Sequence, residues 1–405
     1  MALTMLLVAA CTPEVSPGEC LDPDDPCPGD MVTDDSGCVY DRCAGEFSGT
    51  LVPCWYAGRI GMVVGRVRLA GADAEQLAYV RQGDEFEHRR FGQILTYDLA
   101  TGEHGPLTAE GENTRYGLRG DARRIAWSEL ASAEYQKTEG CIPRSDVHVL
   151  DLETGEAWQL PNPEQAECAD ISLSGDRVVY RATQTAPADR GQVLRTDIWM
   201  TDLRSGERTR IAGATTEEAR LGSPRVHGER VAYWRGPPAS AEGTAPSQLR
   251  LLELGTGEET TVDSVDGLAP PVFGTGEKSF LLAGDRAVVR LWDRLRVYDL
   301  STGEAQDPIE CGLEDCHPLL EQGQLVYERH DPETHTVQLY QHELKAGVVH
   351  QLTDLRPRLD AVLPLSLLGG RVLWKEHRGD WLVDRCGNER PATGRTPLWL
   401  WTDLD

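Results

Sequence analysis

Four histidines lie in polar stretches where a side chain could meet a ligand. His88 falls in Gly-Asp-Glu-Phe-Glu-His-Arg-Arg-Phe-Gly (83–92), His330 and His335 bracket His-Asp-Pro-Glu-Thr-His, and His377 stands further on. Imidazoles beside carboxylates such as Glu85, Glu87, Asp331 and Glu333 are a donor set for a divalent metal. Together with Arg89 and Arg90 the same side chains would hold a polar or charged ligand. Solvent-facing loops carry these residue types with no ligand at all, so Glu85, His88, Arg89, Arg90, His330, Asp331, His335 and His377 are candidates for ligand contact, with no firm metal and no cofactor. Other chemistry is lacking. The sequence contains no Gly-x-Ser-x-Gly nucleophile elbow. Gly274-Thr-Gly-Glu-Lys278-Ser279 imitates a phosphate-binding loop but has Glu where Gly must precede Lys, and an apolar strand follows instead of a helix.

Eleven cysteines suggest an oxidising compartment. The residues MALTMLLVAA form an apolar run too short to span a bilayer but suited to a signal peptide. Val8-Ala9-Ala10-Cys11 resembles the lipobox of bacterial lipoproteins, which implies lipidation at Cys11, although no Lys or Arg precedes the run. Without Cys11 ten cysteines remain, an even number that fits disulfides, and no pair of Cys-x-x-Cys knuckles argues for zinc. Residues 11–46 have too few apolar side chains to bury a core, so they read as an acidic stalk stapled through Cys20, Cys27, Cys38 and Cys43. The net charge of −26 argues against nucleic acid and against adhesion to anionic lipid, leaving the lipid as the link to a membrane. Arginine makes up 36 of the 40 basic residues, which fits a GC-rich coding sequence.

The elements that must position the candidate residues repeat along 47–405. An apolar strand ending in Asp-Leu before a Thr-Gly-Glu turn reads YDLATGE at 97–103, LDLETGE at 150–156, TDLRSGE at 201–207, LELGTGE at 252–258 and YDLSTGE at 298–304. HELKAGV at 342–348 is a worn copy, and VDRCGNE at 383–389 is read as the seventh. The glycines at 102, 155, 206, 257, 303, 347 and 387 recur every 40 to 53 residues, the length of one four-stranded propeller blade. A second strand with an aromatic near its end recurs in step: LAYV, RIAWS, RVVYR, RVAYW, RAVVR, QLVYE and RVLWK. Its Tyr79, Trp127, Tyr180, Tyr233, Tyr327 and Trp374 are read as sheet-packing residues. The expected fold is all-β, a seven-bladed β-propeller of four-stranded antiparallel blades, each running A strand, tight turn, B strand, loop, C strand, Thr-Gly-Glu turn, D strand. Either 49–56 or 397–401 supplies the strand that closes the ring.

These repeats resemble the blades of TolB-type periplasmic propellers and related bacterial lipoproteins. The resemblance covers about residues 50–405 and implies the fold; the separate α/β domain of TolB-type proteins has no counterpart here. The histidine set is also similar to that of propeller lyases that use His and a divalent metal.

In such a meander the A–B and C–D turns share one face and the B–C and D–A loops the other. The first face is expected to hold only tight turns; the second holds the long segments 82–93, 129–146, 182–197 and 235–248, where binding surfaces usually lie. Blades six, seven and one are neighbours in a closed ring, so the His/Glu loops would converge there. Cys141–Cys168, Cys311–Cys316 and Cys54–Cys386 are the expected bridges outside the stalk, with Cys168 in a D–A loop. The expected role is a binding or scaffolding module for an envelope protein, on the periplasmic side of the outer membrane or at the cell surface. The alternative is an envelope enzyme, a lyase or hydrolase acting on polysaccharide through the same face.

Overall fold

A computed structural model describes a two-stranded pair, Met31–Thr33 with Val39–Asp41, the strands named below, between Leu51 and Asp403, and the connections within 104–353 apart from 110–113, 122, 131–143, 163–165, 187–192, 239–244, 266–279, 292–293, 313–315 and 332–335. These residues are all-β, built from antiparallel meanders. Sheet 1 comprises Ile60–Val67, Gln76–Gln82, Phe91–Asp98 and His104–Pro106; sheet 2 comprises Thr114–Gly120, Arg124–Leu130, Asp146–Asp151 and Ala157–Gln159. Sheet 3 follows with Glu167–Ser174, Arg177–Thr185, Val193–Asp202 and Arg208–Thr215, and sheet 4 with Arg220–His227, Arg230–Gly236, Ser247–Glu253 and Glu258–Val265. Sheet 5 holds Phe280–Ala283, Arg286–Leu291, Arg294–Asp299 and Glu304–Ala305, with Ile309–Glu310 also paired to its third strand. Sheet 6 holds Leu319–Glu321, Gln324–Asp331, Thr336–Glu343 and Val348–Gln351. Sheet 7 joins Ala361–Leu368, Arg371–His377 and Leu398–Asp403 to Leu51–Val52 from the other end of the chain. In each sheet the strands are called A to D in this order. Strand A of each sheet contacts strand A of the next, and that of sheet 7 contacts that of sheet 1.

Both closure candidates are therefore used at once, one as strand C and one as strand D. The stretch VDRCGNE is not the seventh repeat. Its flanks form a separate hairpin, Trp381–Val383 with Glu389–Pro391, inserted between strands B and C. The seventh Asp-Leu is Asp403-Leu404, at the end of the chain.

The repeated motif acts through its side chains. The Asp151 carboxylate accepts the amides of Glu153 and Thr154, the Thr154 hydroxyl accepts the Glu156 amide, and Gly155, at φ +73°, donates to the Asp151 carbonyl. Asp202 and Asp299 repeat this arrangement. The Ser301 hydroxyl and amide and the Arg286 guanidinium hold the Asp299 carboxyl down to about 2. The Leu after each Asp donates its amide to the A–B turn of its own sheet, as Leu152 does to Arg123 and Leu203 to Asp176, so the two turns of a sheet are locked together.

Arginines stitch sheet to sheet. The first residue of strand B stands opposite the acidic residue of strand C, Arg124 with Asp151 and Arg230 with Glu253. Arg124 Nε lies 3.0 Å from Asp151, while Nη1 reaches Asp176 at 2.7 Å and the Gly175 carbonyl at 2.8 Å in the A–B turn of sheet 3. Arg177 makes the same reach to Gly228 and Glu229 in sheet 4, and Arg230 to Gly284 and Asp285 in sheet 5. The guanidinium fork can serve two sheets at once, which a lysine ammonium cannot do with fixed geometry. These arginines have a structural task that composition alone did not reveal. Between the sheets, apolar clusters such as Val149, Ile171, Val178 and Tyr180 form the core, with Trp127, Tyr180, Tyr233 and Tyr327 buried as expected of sheet-packing aromatics.

Strand A carries a bulge in sheets 2, 3 and 4. Its first residue is Gly117 in sheet 2, Asp170 in sheet 3 and Ser223 in sheet 4, with φ of +65°, +53° and +51°. A left-handed Asp or Ser is strained where Gly is not, so these two positions hold a side chain against a backbone cost.

Candidate functional site

One face is formed by the A–B and C–D turns, among them 175–176, 228–229, 284–285 and 322–323. It is not made only of tight turns, because the A–B connection of sheet 1 runs over 68–75. The other face gathers the connections 131–145, 186–192, 237–246, 266–279 and 378–397. His330 and Asp331 end strand B of sheet 6 and His377 ends strand B of sheet 7, so three of the candidates stand on this loop face in neighbouring sheets. Glu85, His88, Arg89, Arg90 and His335 lie outside the described residues. Among the described residues no group of three or more His, Cys, Asp or Glu is placed to hold a metal.

The described part of this face is best built where sheets 5 and 6 meet. Cys311 and Cys316 are joined by a disulfide within the D–A connection, with Cα atoms 6.1 Å apart and both residues buried. The Cys311 carbonyl accepts the His330 amide at 2.8 Å, and the Cys316 carbonyl accepts Arg290 Nη1 at 3.4 Å. The connection is thereby pinned along strand B of sheet 6, which places the next residue, His317, beside Glu328. His317 Nδ1 lies 2.5 Å from Glu328 Oε1; the Glu328 side chain is 2 % exposed and that of His317 28 %. Against an ionised carboxylate Nδ1 donates, which leaves Nε2 at the other end of the ring to accept when the ring is neutral and to donate when it is protonated. An imidazole oriented by a buried carboxylate can accept a ligand hydrogen bond or take a proton. His317 was not among the sequence candidates; its signal, a His directly after a cysteine of a short bridge, needs the disulfide to be read.

A second polar assembly lines strand A of sheets 2 to 4. Arg181 Nε pairs with Asp170 at 2.7 Å, and Arg181 Nη1 donates to the Thr183 hydroxyl at 2.7 Å. Asp170 also accepts the Ser223 amide of the next sheet. Burial pushes the Asp170 carboxyl up, but the Arg181 charge and hydrogen bond outweigh it and hold the group below its ordinary value. Glu167 goes the other way: burial raises its carboxyl, and the Arg181 charge offsets only part of the rise. Nearby the Tyr116 hydroxyl donates to Ser145, and the hydroxyls of Ser128 and Ser145 both donate to the Cys168 carbonyl. Burial raises the Tyr116 hydroxyl. These hydrogen bonds tie strands of neighbouring sheets together. Cys168 itself lies buried inside strand A of sheet 3, opposite Ala182, and not in the preceding connection. Its expected partner Cys141 lies outside the described residues, as do Cys11, Cys54 and Cys386.

No family model matches this sequence, and no curated protein matches it. Solved structures do. The acylaminoacyl peptidase of Pyrococcus horikoshii superposes with a TM-score of 0.52 at 14 % identity, over 78 % of this chain and 49 % of that one. A prolyl endopeptidase superposes with a TM-score of 0.51 at 13 % identity, over 85 % of this chain and 50 % of that one. The chain thus spans about half the length of each peptidase. The β-propeller domain of the trilobed protease from Pyrococcus furiosus matches with a TM-score of 0.50 at 13 % identity, over 85 % of this chain and 94 % of that one. That domain is described as having an open velcro topology, whereas Leu51–Val52 here pairs with Leu398–Asp403. TolB from Acinetobacter baumannii also matches, with a TM-score of 0.37 at 13 % identity, over 83 % of this chain and 78 % of that one. The first three overlays, with the meander sheets and the contacts of their inner strands, establish the fold of this chain as a β-propeller.

Proposed function

We propose that the chain is a seven-bladed propeller, anchored to the bacterial envelope by a lipid on Cys11, whose loop face binds a protein partner. The blade number is supported by the chain of contacts through seven A strands back to the first. The observation that carries the binding role is the asymmetry of the faces: 175–176, 228–229 and 284–285 on one, 131–145, 266–279 and 378–397 on the other. Residues in long loops cost ordering entropy that bare turns do not. Two sets of charge reversals separate the faces, Glu85, Arg89, Arg90 and Asp331 against Glu103, Glu156 and Glu207. Capture of a partner from solubilised envelope is expected to be lost with the first set and kept with the second; the opposite result overturns the assignment. Cys11→Ser is expected to move the protein from the membrane to the soluble fraction, and unchanged membrane association refutes the anchor.

A second reading, an envelope enzyme acting on polysaccharide, is favoured by the oriented imidazole of His317. It predicts turnover of an envelope polysaccharide that His317→Gln abolishes while leaving the melting temperature in place. Absence of any turnover by the unaltered protein refutes it.

A further inference from the structure

The direction of the closing strand decides from which face the N-terminal segment joins the ring. Strand B of each sheet begins at the turn face, and strand C returns to it. In sheet 7 Asp403, the end of strand C, stands opposite Arg371, the start of strand B. Leu51 pairs with Leu400 and Val52 with Trp399, so Leu51 is the turn-face end of the closing strand. From Val52 the chain passes through 53–59 to Ile60, the loop-face end of strand A in sheet 1.

We infer that the chain before residue 51, with its stalk and Cys11, joins the propeller at the turn face, so that attachment through the N-terminus presents the loop face to a partner approaching from the opposite side. This rests on the proposed anchor and loop-face binding and adds their relative orientation. The turn face bears the exposed Glu156, Glu207, Glu258 and Glu304 beside the exposed Arg204 and Lys345. Charge therefore does not set the orientation; the direction of the closing strand does.

Two native lysines report the orientation. Lys345 is exposed in the C–D turn 344–347 of sheet 6, and Lys137 belongs to the B–C connection 131–145 of sheet 2. The full chain carrying Cys11→Ser and Ser48→Cys is biotinylated at the new thiol and captured on streptavidin. Both lysines are then modified with a bulky amine reagent and read by mass spectrometry against the free protein. Modification of Lys345 is expected to fall several-fold while that of Lys137 holds. Capture through Leu194→Cys, at a loop-face side chain 45 % exposed, is expected to reverse the pattern. A fall at Lys137 in the Ser48→Cys protein, or no change at either lysine, overturns the inference. The engineered attachment replaces the lipid, so failure of this test and failure of the Cys11→Ser fractionation are separate results.

Discussion

Asp170 joins two opposed effects whose sizes can be compared. At φ +53° it gives up roughly 1 kcal/mol relative to glycine. Its carboxylate sits 2.7 Å from Arg181 Nε, with side chains 15 % and 6 % exposed. Unit charges about 4 Å apart attract by about 4 kcal/mol at an effective dielectric near 20, and removing one member of a buried pair costs about 3–5 kcal/mol. Asp170→Gly should therefore relieve strain and still destabilise the protein by about 3 kcal/mol, because the buried guanidinium loses its hydrogen-bonded carboxylate and Glu167 nearby compensates only part of the loss. Arg181→Met combined with Asp170→Gly should lose less than the two single changes added together, because the two hydrogen-bonded charges leave together and the Glu167 carboxyl, already pushed up by burial, loses only the Arg181 charge. Urea unfolding followed by tryptophan fluorescence measures all three, with the m-value showing whether the unfolded state has changed. Asp170→Gly at native stability, or strict additivity in the double variant, refutes the reasoning. The pH dependence supplies an independent sign. Asp170 is depressed in the folded state, so its contribution is present above its unfolded value and is lost as pH falls through the folded one. Glu167 is raised, so its burial opposes folding at neutral pH, and that opposition is relieved as pH falls through its folded value.

Gly213 faces Asp197 across strands C and D of sheet 3, where an added methyl would run into the Asp197 carboxylate and Arg210; Gly213→Ala should cost about 2 kcal/mol by thermal or urea unfolding. Gly155→Ala meets no neighbour but forces a side chain to φ +73°, so about 1 kcal/mol is expected, and a neutral result in either case would show the backbone to be more yielding there. Removing the Cys311–Cys316 bridge as the double serine variant should lower stability by about 2 kcal/mol under the loop-entropy account, with increased amide exchange at His317 and His330; unchanged exchange would mean that the bridge does not position His317. Burial and their neighbours raise the hydroxyls of Tyr180 and Tyr298 to about 12, so absorbance at 295 nm should show a late-titrating group of tyrosines. Their contribution is complete below pH 10 and is lost as pH climbs towards 12; ionisation of every tyrosine near pH 10 in the folded protein contradicts it.

The all-β class, the repeating strands and the turn chemistry were legible in the sequence because each is local. Asp-Leu-x-Thr-Gly-Glu builds its turn from hydrogen bonds within a few residues, and strand alternation needs only the next residue but one. The opposition of Arg124 to Asp151 and Arg230 to Glu253 was written there too, at the same place in sheets 2 to 5 and 7, but it becomes an inter-sheet bond only once the next A–B turn is brought alongside. The closing sheet shows the limit most clearly. Strand C lies at one end of the chain and strand D at the other, and no local pattern could separate VDRCGNE, which has the repeat's spacing, from Asp403-Leu404, which has its pairing partner. The candidate site divides in the same way. His330, Asp331 and His377 were placed on the loop face by counting repeats, whereas the His317–Glu328 pair joins a connection to a strand and depends on the disulfide that lays one along the other. The left-handed Asp170 and Ser223 had no sequence signal, since glycine marks such positions and neither is glycine; their conformation is imposed by the neighbouring strands. Sequence thus settled what each segment does with its own hydrogen bonds and apolar faces, and tertiary structure decided what depends on distance: which end of the chain closes the ring, which carboxylate orients which imidazole, and which face the chain enters from.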